Sequence, residues 1–121
     1  MIGRVRCVVL DCPDARGLAE FYCHLLGGEV DKPDRRWLVS ESFATLHVDD
    51  GSVYAFQRVQ GFERPRWPDP AKPQQFHLDV DVPDLADAGL KVLALGATLL
   101  HTDDRGWLVF ADPAGHPFCL I

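Results

Sequence analysis

The chain has 121 residues, of which 47% are hydrophobic and 25% charged, and its 12 Lys and Arg stand against 18 Asp and Glu for a formal charge of -6. This length suits one compact domain, or two small modules sharing a core, with no need of disulfide staples. The acidic balance excludes a nucleic-acid binder built on a basic face and disfavours broad attachment to anionic membranes.

Residues 1–14 carry neither the apolar run nor the small-residue cleavage site of a signal peptide, and no segment approaches the length of a membrane span. The four cysteines, Cys7, Cys12, Cys23 and Cys119, form no C-x-x-C pair. With no export signal, they read as reduced thiols of a cytoplasmic protein.

In chain order, residues 5–12 are rich in β-branched and apolar side chains and predict a strand. Asp14 then stands as an N-cap before Ala15, Leu18, Tyr22 and Leu25, whose spacing draws one apolar stripe down a helix. Gly27 suits a left-handed stop. Short strands are predicted at 29–32, 37–42 and 53–59, with Asp49–Asp50–Gly51 as turn chemistry. Residues 60–73 hold four of the nine prolines and read as a stiff linker. The pattern then starts again. Residues 75–82 predict a strand, Asp84 a cap, and Leu85, Ala88, Val92 and Leu95 a helix stripe that stops at Gly96. Strands follow at 97–102, 107–111 and 117–121, with the turn residues 112–115 before the last.

The second half echoes the first at an offset of 70: DRRWLV at 34–39 becomes DRGWLV at 104–109, Pro13–Asp14 becomes Pro83–Asp84, and the two stripes coincide. At the last strand the offset is 62, matching Phe56–Gln57 with Phe118–Cys119, so the first copy carries about eight extra residues near 42–48. The reading is an α+β chain of two βαβββ modules in pseudo-two-fold tandem. The modules span 1–59 and 74–121, the linker spans 60–73, and a curled mixed sheet forms a cup.

This arrangement resembles the vicinal oxygen chelate superfamily of glyoxalase I, bleomycin-resistance proteins and extradiol dioxygenases. LDCPDARGLAEFYCHLLGGEV, FHLDVDVPDLADAGLKVLALGA and ADPAGHPFCLI carry the likeness, which is strongest to the small glyoxalase-like proteins of actinobacteria. In metal-dependent members the first and last strands of each copy supply His, Glu, His and Glu to one ion. The resemblance puts Cys7, Gln57, His77 and Cys119 at those places, and the offsets of 70 and 62 pair them the same way. Only His77 is a conventional ligand. Without two His and a carboxylate an extradiol dioxygenase is not expected. Without the two Glu positions glyoxalase I activity is not expected either.

His77 reads as a metal ligand, a general base or a donor to a bound molecule, with a structural strand histidine bonded to Asp79 as the alternative. Cys7 and Cys119 read as cup-lining apolar residues or, with His77, as a zinc-type set. Gln57 needs partners if buried, from a ligand, water or backbone. Trp37 and Trp107, equivalent in the two copies, read as a ligand clamp or as packing. His116 is assigned to the turn after Gly115, and His24, His47 and His101 to surface or structural places.

The expectation is a small-molecule-binding protein of the glyoxalase/bleomycin-resistance type with an atypical, metal-free cup. One alternative is a lyase or isomerase using His77 as metal ligand or general base. Another is a non-catalytic domain with a filled cup. The cofactor is accordingly none or a divalent metal. The partners are a small-molecule ligand and, as in its relatives, a second copy in a homodimer, with no nucleic acid and no membrane.

Overall fold

A computed structural model describes the whole chain, residues 1–121. Its contacts divide it into two units, Met1–Phe62 and Glu63–Ile121. Each is a four-stranded mixed sheet with one helix, in the order strand, helix, strand, strand, strand. The tandem α+β plan expected from the repeat is therefore present. No helix is long and apolar enough to cross a membrane.

In the first unit β1 (Val8–Cys12) leads to α1 (Ala15–Leu26), β2 (Glu29–Val30), β3 (Phe43–His47) and β4 (Val53–Arg58). The sheet order is β1-β4-β3-β2, with β1 parallel to β4 and the other pairs antiparallel. The helix starts where the sequence places it. The Asp14 carboxylate accepts from the Gly17 N–H at 3.0 Å, satisfying a donor the first turn leaves free. It ends at Gly27, whose φ of 77° needs a residue without Cβ. Its stripe buries Ala15, Leu18, Ala19, Phe21 and Tyr22, and Tyr22 stacks on Phe56 of β4 with centroids 5.6 Å apart. Each large side chain so buried contributes roughly 1.5–3 kcal/mol.

The third strand differs from the sequence expectation. Residues 37–39 form no strand, and Ser40 joins Phe43 only through an isolated bridge. The strand is Phe43–His47, the stretch read as an insertion. The reason is burial. Leu38 and Val39 are 89% and 45% exposed, whereas Ala44 and Leu46 are buried. An apolar run with no face to cover gains nothing from a ladder, while Ala44 and Leu46, two residues apart, place their side chains on one buried face.

In the second unit β5 (Leu78–Val80) leads to α2 (Leu85–Ala94), β6 (Thr98–Thr102), β7 (Leu108–Ala111) and β8 (Pro117–Leu120), in the sheet order β5-β8-β7-β6. Asp84 caps α2 by accepting from the Asp87 N–H at 2.9 Å. Phe110 stacks on Phe118 at 5.7 Å, the counterpart of the Tyr22–Phe56 stack. The helix itself buries only Gly89 and Val92, and Leu90 is 70% exposed.

Residues 63–73 pack within this unit as linked turns. Arg66 N–H donates to Lys72 O at 2.7 Å, Asp69 N–H to Arg66 O at 2.8 Å, and Lys72 pairs with Glu63. Before β8, the fully buried Asp112 carboxylate accepts from the backbone of Ala114 (2.8 Å) and His116 (3.0 Å) and lies 2.7 Å from His116 Nδ1. His116 thus serves this turn.

Candidate functional site

Sheet register decides which side chains share a face, because successive residues point to opposite sides. In the first unit Leu10 and Phe56 face the helix and are buried, while Asp11 stands opposite Gln57 on the other face. Applying the two offsets would place Asp81 opposite Cys119. The structure places Asp79 there instead, so the β5–β8 ladder is slipped by two residues relative to β1–β4. A slip of two leaves every side chain on its own face, so His77 and Cys119 still point away from the helix.

The slip assembles a row. Asp79 pairs with Cys119, Cys119 with Val109, and Val109 with His101, one residue from each of the four strands. This row floors a cavity of about 310 Å³, with His77 at one side and Trp67, Trp107, Asp103 and Arg105 forming walls. Trp67 meets the His101 ring edge-on at 6.2 Å.

The wall by Trp107 is fixed by one carboxylate. Asp103 accepts from the backbone N–H of Arg105 (2.9 Å) and of Trp107 (3.0 Å), and from the Arg105 guanidinium (2.9 Å). Burial alone would push the Asp103 carboxyl up, but these donors outweigh it and hold it below the usual range. The guanidinium then lies 3.7 Å from the centre of the Trp107 ring, a cation–π stack. In the first unit the matching turn is one residue out of step with the sequence echo. Asp34, rather than the counterpart of Asp103, accepts from Arg36 N–H at 2.9 Å. The Arg36 side chain, then its backbone N–H, holds the Asp34 carboxyl far below the usual range.

On the floor, His77 Nε2 lies 3.4 Å from Asp79 Oδ1. The Cys119 thiol is pushed up to about 11, first by burial and then by its hydrogen bond with Asp79. At neutral pH it is therefore a thiol, not a thiolate. The ligand atoms of His77, Asp79 and Cys119 all lie within 4.8 Å of one another. An imidazole nitrogen, a carboxylate oxygen and a deprotonated cysteine sulfur are all donors that zinc accepts, so the set would make a three-ligand site with an open position once Cys119 gives up its proton.

The model of the glyoxalase-like domain matches residues 7–121. The chain belongs to the glyoxalase-like domain family. No curated protein matches its sequence. Solved structures agree on the fold. A possible glyoxalase from Bacillus cereus superposes with a TM-score of 0.68 at 13% identity, covering 100% of this chain and 99% of that one. A glyoxalase/bleomycin resistance protein/dioxygenase family enzyme from Burkholderia phytofirmans gives 0.70 at 19% identity, with coverage of 98% and 97%. The fosfomycin resistance protein FosX from Mesorhizobium loti gives 0.69 at 14% identity, with coverage of 99% and 91%.

Within this glyoxalase-like chain, His77, Cys119 and Trp107 line the second-unit cavity together. Cys7, Gln57 and Trp37 belong to the first unit. Cys7 is half-buried just ahead of β1, and Gln57 is exposed in β4 beside Asp11. Trp37 is half-buried, with Arg6 4.9 Å from the centre of its ring and His47 edge-on at 6.1 Å. Its Nε1, with His47 Nε2 and Thr45 Oγ1, is buried without a hydrogen-bond partner. Sequence reasoning reads Trp67 as a linker anchor, a cover for the cup or a subunit contact, and it assigns no site role to Asp79, His101, Asp103 or Arg105, all of which line the cavity. The usable signal for Asp79 was the Leu–Asp pair, Leu10–Asp11 and Leu78–Asp79, which repeats at 68 rather than 70.

Proposed function

We propose that this glyoxalase-like chain binds a small organic molecule in the second-unit cavity and does so without a metal. The observation that carries the reading is the cavity itself. About 310 Å³ of open space between two indole walls stands over a floor that offers an imidazole, a carboxylate and a thiol. That size lies at the lower end of ligand pockets, and aromatic walls with few polar groups are their usual lining. It also speaks against the alternative of a face filled by its own side chains. The neutral Cys119 thiol can donate, Asp79 can accept, and the Trp107 and Trp67 rings offer flat apolar surface. A small polar molecule with one planar or apolar part suits that combination.

Four free cysteines accord with a reducing cytoplasm, and the exposed leucines of the second unit with a homodimer.

The second reading is a metal-dependent lyase or isomerase, favoured by the proximity of His77, Asp79 and Cys119. In it these three residues would hold a divalent ion able to polarise a substrate oxygen, and Cys119 would lose its proton on binding. Metal analysis of protein purified without chelator, with melting curves taken over added zinc, manganese, nickel and iron, separates the two. The metal-free reading expects substoichiometric metal and no melting shift, together with stabilisation by members of a small-molecule library that is lost in Trp107→Ala. Stoichiometric metal lost in His77→Ala would replace it with the second reading.

A further inference from the structure

The second unit holds another cavity of about 300 Å³ on the same face of its sheet, beyond Trp67, which lines both. Thr98 and Ala111, paired across β6 and β7, form its floor, and Arg64 and Arg66 stand at its rim. No Asp or Glu lines it, although the chain carries 18 acidic residues and a charge of -6.

Three of the seven other arginines in the chain are taken by carboxylates. Arg16 pairs with Glu20 and Asp31, Arg36 with Asp34, and Arg105 with Asp103. Lys72, on the same turns as Arg66, is taken by Glu63. Arg64 and Arg66 have no such partner. Both are held at their base. Gly115, at φ 99°, lets Arg64 approach so closely that a Cβ there would lie 2.8 Å from Arg64 Nε and 2.9 Å from its Cβ. Arg66 is fixed at both ends of its peptide by the bonds to Lys72 and Asp69.

We infer that this cavity is a second ligand site, for a small organic anion carrying a carboxylate or a phosphate. Two guanidinium forks match the paired oxygens of either group, and the Thr98 hydroxyl can add a donor. Leu100, Pro65 and the Trp67 ring give the apolar remainder of such a ligand a surface to cover. The inference is independent of the function proposed for the His77 cavity.

The test is calorimetric titration with phenyl phosphate, benzoate and inorganic phosphate at low salt. Phenyl phosphate or benzoate should bind saturably and more tightly than inorganic phosphate, and binding should weaken as salt rises. Arg64→Gln and Arg66→Gln should each weaken it about tenfold or more, from the loss of a hydrogen bond to a charged group. Gly115→Ala should weaken it by displacing Arg64. His77→Ala should leave it unchanged. The two glutamine variants alter exposed side chains, and their melting curves report whether they fold. Absence of saturable binding to the wild-type chain overturns the inference. So does binding that survives the Arg64→Gln/Arg66→Gln double variant, or that is lost in His77→Ala, since the anion would then occupy the other cavity.

Discussion

Cys119 shows how much one neighbour changes a side chain's chemistry. Burial raises its thiol and Asp79 raises it further, to about 11 from an ordinary 9.0. The fold therefore favours the protonated form. The stability this contributes is present below pH 9.0 and is lost as pH rises through about 11. Iodoacetamide near neutral pH should modify the half-buried Cys7 and Cys23 well before Cys119, read by peptide mass spectrometry. Asp79→Asn removes the charge and should speed Cys119 alkylation about tenfold for each unit the thiol falls. An unchanged rate would show that Asp79 does not govern the thiol. Asp112 is a structural contrast, a fully buried carboxylate holding two backbone N–H groups. Asp112→Ala should cost about 2–3 kcal/mol in urea unfolding, because those donors stay buried without an acceptor. The roles of Gln57 and Cys119 as strand residues facing away from the helices were legible in sequence, since parity survives any even slip. Asp79 was not, because finding it required the β5–β8 register, and nothing local to L-D-V states a slip of two.

At the scale of elements the two helices look alike in sequence and do unequal work. Their stripes repeat at one offset and both are capped by Asp, so both helices were legible to within a residue or two. Burial separates them. α1 buries five residues and α2 only two. Leu18→Ala, at a site 3% exposed, should cost about 2–5 kcal/mol. Leu90→Ala, at a site 70% exposed, should stay within about 0.5 kcal/mol. Equal losses in denaturant titrations would contradict the difference in packing. The third strand of the first unit was misread for a related reason. W-L-V and F-A-T-L-H have comparable strand propensity, and only the presence of a helix face to cover selects the second. The echo of DRRWLV in DRGWLV is a shared Asp–Arg turn chemistry followed by a strand in one copy only.

At the scale of the whole chain, duplication has left two units with the same topology, and both expose large apolar side chains, in the first unit Val5, Leu38 and Val39 among them. The second exposes large apolar side chains on its helix and edge strand: Leu90 at 70%, Leu93 at 43%, Leu99 at 47% and Leu100 at 37%. The edge strand β6 is exposed along its length, and its bulge between Leu99 and His101 makes it a poor template for strand pairing. Association through side chains is then the more favourable way to remove this surface from water, and the homodimer proposed above would use it. If Leu90 and Leu93 each contribute about 1.5 kcal/mol by burial in both copies, replacing both removes about 6 kcal/mol, or roughly ten-thousandfold in dimer affinity. Leu90→Glu/Leu93→Glu should therefore sediment as a monomer at concentrations where the natural chain is dimeric, with its far-ultraviolet circular dichroism unchanged because both sites are exposed. A natural chain that sediments as a monomer at every concentration, or a double variant that stays dimeric, would show that this surface is not what joins the copies.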